Sequence, residues 1–160
     1  MGLFDLTRRA AKSASKPDSG DGATTPGGGG PRGDRDSARW WAALDHRQLL
    51  VQECTQCRWL RWPPRAYCGR CGSWDSEWIP LSGRGTILSW TVTHRAPAGV
   101  PTPYVVVLVQ IDEQDDICIP GFCDGEPDGS DMAIGAPVAV GFDTDATDIT
   151  GQTVIRWRRI

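Results

Sequence analysis

No apolar run in this chain approaches the roughly 18 or more consecutive residues that span a bilayer, and its opening stretch (MGLFDLTRRAAKSASK) lacks the apolar block of a secretory signal. A cytoplasmic location is therefore expected. Gly2 follows Met1, but Leu6 stands where a myristoylation pattern wants Ser or Thr, which argues against lipidation. Histidine is scarce: His46 and His94 are the only two, which leaves little material for imidazole-based catalysis. Lys and Arg are both absent from residues 96–150, which carry eleven acids. A groove that tracks a phosphate backbone needs positive charge along its length, so nucleic acid is an unfavourable partner for that half. With 160 residues there is room for one ordinary domain, or a small module joined to one, and none for a multi-lobed enzyme.

Apolar side chains are nearly missing from Ser13 to Ser37 as well, where Gly, Pro, Ser, Asp and Thr dominate and Gly27–Gly30 form an unbroken run. Such a segment cannot bury enough surface to offset its chain entropy. Residues 1–36 are expected to form a disordered tail, with at most a short helix in Leu3–Ala14. Order should begin with Ser37 as a helix cap, followed by Trp40, Trp41 and Leu44 on one helical face. Residues 37–80 then make a helix plus a metal ribbon, and 81–160 a barrel.

The strand signals are short and separated by turn residues. Leu49–Glu53 leads into Cys54. Gly83-Arg84-Gly85 marks a bend or bulge. Thr86–His94 alternates, with Leu88, Trp90 and Val92 on one face of a half-buried strand and Ser89, Thr91 and Thr93 on the other. Tyr104–Ile111 (YVVVLVQI) is apolar on both faces, as expected inside a closed barrel or beneath another element. Ile117–Cys123, Val138–Phe142 and Val154–Ile160 complete five strands, the last placing Ile155 and Trp157 opposite Arg156 and Arg158. The fold class is mainly β: a short N-terminal helix and a four-cysteine zinc ribbon, then a five-stranded OB-fold barrel, with a small sandwich giving similar signals.

Six cysteines occur, and four of them fall into two pairs, CTQC (Cys54, Cys57) and CGRC (Cys68, Cys71), ten residues apart. A two-residue spacer lets the chain fold back so that both sulfurs reach about 2.3 Å from one ion, with Gly69 and Gly72 easing the second turn. Four thiolates suit Zn2+, one per chain, over an iron centre or disulfides. A filled shell leaves no place for water, so this metal is expected to hold the fold. Cys118 and Cys123 read as small strand thiols, with His94 as the one base available to either.

Trp40, Trp41, Trp59, Trp62, Trp74 and Trp78 crowd the first half of the ordered region, interleaved with Arg58, Arg61, Arg65 and Arg70. Indoles pack well in a ribbon too small for its own core, and Trp with Arg is also the composition of binding hot spots. Arg forks match phosphate oxygens of a nucleotide-like ligand. His94 reads either as a barrel-mouth histidine bonded to backbone or as a ligand contact, and Tyr104 is similar.

The Trp-Trp helix, the first CxxC, the stretch PPRxxCxxCGS at Pro63–Ser73, the run EWIPLSGRGTILSWTVTHRAP at Glu77–Pro97, and the later PYVVVLVQID and IGAPVAVGF segments occur in an order that resembles one family. It is that of the zinc-ribbon and OB-fold proteins associated with acyl-CoA enzymes, long known as a domain of unknown function. The resemblance implies a non-catalytic accessory subunit in a hetero-oligomer with a thiolase-like or aldolase enzyme, or with a hot-dog-fold enoyl-CoA hydratase, acting on steroid or other acyl chains and helping to hold the acyl-CoA. It also points to Arg65 in the PPR turn, Trp62, His94, Arg95 and Tyr104 as ligand-facing or partner-facing positions. Two other readings compete: a single-stranded nucleic-acid binder, weakened by the acidic second half, and an independent enzyme built on Cys118, Cys123 or His94.

Overall fold

In a computed structural model, the structure describes residues 35–96, 100–144 and 152–160. The expected helix in Leu3–Ala14 and nearly all of the expected tail lie outside the described residues. Helix α1 spans Ala38–Asp45. Ser37 occupies the cap position, and its carbonyl accepts the Trp41 N–H at 3.1 Å, but its side chain makes no capping bond. The helix is held by its buried face instead, Trp40 and Leu44, with Trp41 half-buried and edge-on to Trp40 at 4.6 Å. No described helix is long and apolar enough to cross a membrane.

Strands β1 (Leu50–Cys54), β2 (Leu60–Arg61) and β3 (Ser76–Pro80) form a small antiparallel sheet in the order β2-β1-β3. Five further strands, β4 (Arg84–Thr93), β5 (Tyr104–Ile111), β6 (Cys118–Cys123), β7 (Pro137–Asp143) and β8 (Val154–Arg159), close into a barrel in the order β4-β5-β6-β8-β7. Every neighbouring pair is antiparallel except β6 with β8. Closure with a single parallel pair is the OB arrangement and excludes a sandwich.

The barrel core follows from period-two alternation. Along β5, Val105, Val107, Val109 and Ile111 point inward and are at most 3% exposed, meeting Ile87, Ile119, Val138, Ile155 and a fully buried Trp157. Each such aliphatic contributes about 1.5–3 kcal/mol relative to leaving it in water. The alternate residues of β5 are half-buried, and one of them, Val106, borders a groove shared with α1 and the Trp62-Pro63 turn. The strand expected to be apolar on both faces is β5.

For β4 the expected face is corrected at Leu88. The register against β5 slips between Ile87 and Ser89, a bulge at Leu88. Before it Gly85 and Ile87 pair with the inward Ile111 and Val109; after it Trp90 and Val92 pair with the inward Val107 and Val105, so the expected face holds for Trp90 and Val92 while Leu88, 44% exposed, departs from it. The expected Gly83–Gly85 corner is present: Gly83 has φ +75, and a Cβ there would lie 2.5 Å from a Val140 methyl.

One side chain fastens the small sheet to the barrel. Gln114, in the β5–β6 turn, accepts the Leu60 N–H at 2.9 Å and donates to the Leu60 carbonyl at 3.1 Å, so β2 gains both backbone bonds from a barrel loop.

Candidate functional site

The two CxxC segments fold as near-copies of one turn. In the first, the Arg58 N–H donates to the Cys54 carbonyl (2.9 Å) and the Cys54 N–H to the Trp59 carbonyl (3.0 Å); in the second, Gly72 donates to Cys68 and Cys68 to Ser73, each at 2.8 Å. The residue after the second cysteine is left-handed in both, Arg58 at φ 62 and Gly72 at φ 78. Of the two glycines expected to ease the second turn, Gly72 has this conformation and Gly69 does not.

These turns bring the sulfurs of Cys54, Cys57, Cys68 and Cys71 all within 4.8 Å of one another. Across the turns, Cys54 and Cys71 are 3.6 Å apart and Cys57 and Cys68 3.7 Å. A tetrahedron with metal–sulfur bonds near 2.3 Å has edges of about 3.8 Å, so the cage already has the size of a four-thiolate ion site. All six cysteines are free thiols.

The electrostatics agree. The Cys57 N–H, helped by the Gln56 N–H and opposed by burial, lowers the pKa of Cys54. The Cys71 N–H, with the Arg70 N–H and against burial, brings Cys68 down to about 6. Cys71 also receives a favourable bond from the Ser73 N–H, but the neighbouring Cys54 thiol, burial and the other two sulfurs push it up to about 12. Four sulfurs this close cannot all ionise alone, and a cation at their centre removes the conflict. The four thiols have the number, chemistry and spacing to hold a metal ion.

Two concavities lie on either side of the Trp62-Pro63 turn, which contributes to both. One is an apolar groove of about 430 Å3 between α1, this turn and the barrel, walled by Trp40, Trp41, Val106, Phe122 and Ile155. The other, about 270 Å3, lies beside the metal turns and is walled by Trp59, Arg61, Arg65, Tyr67 and Arg70, with Asp116 from the barrel. Gln52 on β1 holds this turn in place by accepting the Arg65 N–H at 2.8 Å.

The other expected site residues are dispersed. Trp62 and Arg65 come together at the second pocket. His94 and Arg95 are exposed just beyond the end of β4, and Tyr104 starts β5 opposite Thr93 with its ring 5.3 Å from Phe122. Cys118 is half-buried on β6, while burial, opposed by the Arg159 and Arg156 charges and helped by Asp124 and Asp131, raises the pKa of Cys123. Arg61, named in the sequence only among the Trp-interleaved arginines, is buried at 6% exposure, which that reading did not foresee.

Comparisons with known proteins converge on this architecture. Residues 41–75 match the family model described as the rubredoxin-like zinc ribbon domain of ChsH2, and residues 78–143 match that of the ChsH2 C-terminal OB-fold domain. A protein of Thermomonospora curvata described as a probable enoyl-CoA hydratase alpha subunit is 39% identical over 84 residues, covering 52% of this chain and 26% of that one. A DUF35 domain-containing scaffold protein of Pyrococcus furiosus is 31% identical over 78 residues, covering 48% of this chain and 57% of that one. The chain thus spans less than two thirds of these curated relatives. Among solved structures, a chain of an Ltp2-ChsH2(DUF35) aldolase superposes with a TM-score of 0.70 at 31% identity, over 81% of this chain and 98% of that one. With its paired thiol turns, its closed β4-β5-β6-β8-β7 barrel and these matches, the chain belongs to the ChsH2-type DUF35 family of zinc-ribbon and OB-fold proteins.

Proposed function

We propose that this protein is a non-catalytic docking and scaffolding subunit for an acyl-CoA-processing enzyme of the aldolase or thiolase type. The observation that carries this reading is its alignment across 98% of one chain of a solved structure described as an Ltp2-ChsH2(DUF35) aldolase. A hot-dog-fold enoyl-CoA hydratase is the alternative partner, favoured by the relative described as a hydratase alpha subunit. Steroid and other long acyl chains are the proposed substrate class of the assembly. The partner holds the reacting groups in this reading. Here Trp62 and Arg65 face the second pocket, while His94, Arg95 and Tyr104 stand at the open end of β4 and β5 as partner-facing positions.

The proposed ion is Zn2+, one per chain, held by Cys54, Cys57, Cys68 and Cys71. With all four positions filled by protein, it would fix the geometry of the ribbon and leave no site for a bound water. The Trp62-Pro63 turn and Arg65 hang from this ribbon, so the ion indirectly sets where they stand.

Purification of the full chain from its native cell, followed by intact-complex mass spectrometry, tests the reading. The expected result is a hetero-oligomer with an enzyme of thiolase or aldolase fold and one Zn per chain. Recovery of an isolated monomer at near-native concentration would sink it. The nucleic-acid alternative is tested by anisotropy titration of an oligonucleotide at low salt, where tight and steeply salt-dependent binding would revive it.

A further inference from the structure

The groove of about 430 Å3 between α1, the Trp62-Pro63 turn and the barrel is walled almost wholly by hydrocarbon and indole. Apart from Ser37, every residue on its lining is an apolar residue, a tryptophan or a glycine. These walls are not closed over: Trp41, Trp62, Val106, Phe122 and Val154 are all only half-buried. Apolar surface costs about 25 cal/mol for each Å2 left in water. A concavity of this size that gathers such surface marks a place where something docks.

Two features say what fits there. Trp40 is 5% exposed, and its indole N–H is buried with no hydrogen-bond partner among the described residues. A buried donor is costly to leave unpaired. A hydrocarbon chain has no acceptor to give it, whereas a peptide segment carries a carbonyl at every residue. The occupant that suits this wall therefore joins apolar side chains to a backbone. The second feature is where the chain enters. The described residues begin at Arg35, and Ser37 already lies on the groove lining. In the sequence before that point Leu3, Phe4 and Leu6 stand close together, and after Leu6 no large apolar side chain occurs until Trp40. Residues 7–34 reach about 90–100 Å at full extension, far more than a return to Ser37 requires. A tether of this order holds its end near the groove at an effective concentration on the order of millimolar, so a weak contact is enough.

We propose that the segment Leu3–Leu6, which lies outside the described residues, docks in the groove of its own chain. Leu3, Phe4 and Leu6 supply the apolar side chains, and a backbone carbonyl of the segment accepts the Trp40 indole N–H. This docking needs no enzyme partner and goes beyond the scaffold role. Its consequence is competition: any apolar ligand or protein surface that reaches this groove must displace a segment the chain already carries.

Photo-crosslinking of the full metal-loaded chain, with p-benzoylphenylalanine in place of Phe4, tests it. Peptide mapping is expected to place the crosslink on groove residues of the same chain, such as Trp41, Phe122 or Ile155, with a yield unchanged over about a hundredfold dilution. The second measurement is titration with the apolar dye ANS. The double variant Leu3→Ser, Phe4→Ser should bind ANS about tenfold or more tightly than the native chain, because a tethered competitor has been removed; a Thr7→Ala control should not. An unchanged metal content shows that the ribbon is intact in both variants. The proposal is overturned if the crosslink maps outside the groove or does not form, if ANS affinity is the same with and without the double substitution, or if the double variant takes up no ANS. A crosslink to a second copy that fades on dilution, or a lipid or other small molecule recovered from the native protein in stoichiometric amount, also overturns it by giving the groove a different occupant.

Discussion

Arg58 occupies a left-handed position that glycine holds in the matching turn, and its side chain explains why it is not glycine. Glu53 and Glu77 lie directly opposite each other on β1 and β3, a repulsive placement for like charges. Arg58 bridges them, with Nη2 3.0 Å from Glu53 and Nη1 3.1 Å from Glu77. Replacing it with glycine relaxes the backbone but leaves two facing carboxylates. The expected outcome of Arg58→Gly is a lower melting temperature, with a larger loss at low salt; a more stable variant would show that backbone strain dominates.

Cys123 makes a pH prediction. Burial raises its pKa above the ordinary 9.0, so the native state keeps the thiol protonated where the unfolded chain ionises. Its contribution is therefore complete below the unfolded pKa and is lost as pH rises through the folded one. Between pH 8 and pH 10 the urea midpoint of the native protein should fall further than that of Cys123→Ala. Equal falls would place the alkaline loss elsewhere. At the metal site, Cys57→Ser or Cys68→Ser should abolish stoichiometric zinc by elemental analysis, since three thiolates and a hydroxyl do not reproduce the four-sulfur cage.

Among the elements, β6 passes over the core with a glycine at the tightest point. A Cβ on Gly121 would fall 2.8 Å from the Trp157 ring and 2.9 Å from an Ile155 methyl. Gly121→Ala is expected to destabilise by about 1–3 kcal/mol in denaturant unfolding, the usual range for overpacking; a neutral result would mean that Trp157 has room to move. The strands themselves were legible because alternation and turn residues are local signals, as in Tyr104–Ile111 and Val154–Arg159. The metal turns were legible for the same reason, since CxxC spacing encodes its own geometry. The bulge at Leu88 was not, because one inserted residue leaves the pattern of apolar and polar letters intact while reversing which face is buried. The burial of Arg61 was equally hidden: its pocket is lined in part by Asp116 and Ile117, from a barrel segment more than fifty residues away in sequence.

At the scale of the whole molecule, ribbon and barrel are joined by a shared apolar groove and by Gln114. Gln114→Ala removes both partners of the Leu60 backbone, each bond worth about 0.5–1.5 kcal/mol net, more where a buried group is left unpaired. Faster hydrogen exchange at the Leu60 amide, with barrel amides unaffected, is the expected signature. Chelation of the metal should loosen the same region first, lowering protection in β1 to β3 while the barrel core keeps its own.

The groove beneath α1 bears on how the gene can be cut. A fragment beginning at residue 81 would carry a complete ring of strands, yet Val106, Phe122 and Ile155 would lose Trp40, Trp41 and Trp62 as the facing wall of their groove. Such a fragment would be sticky, and a grafted ribbon would lack the wall its tryptophans lean on. The two motifs share the walls of one groove, and any fusion or truncation that cuts between them takes those walls apart.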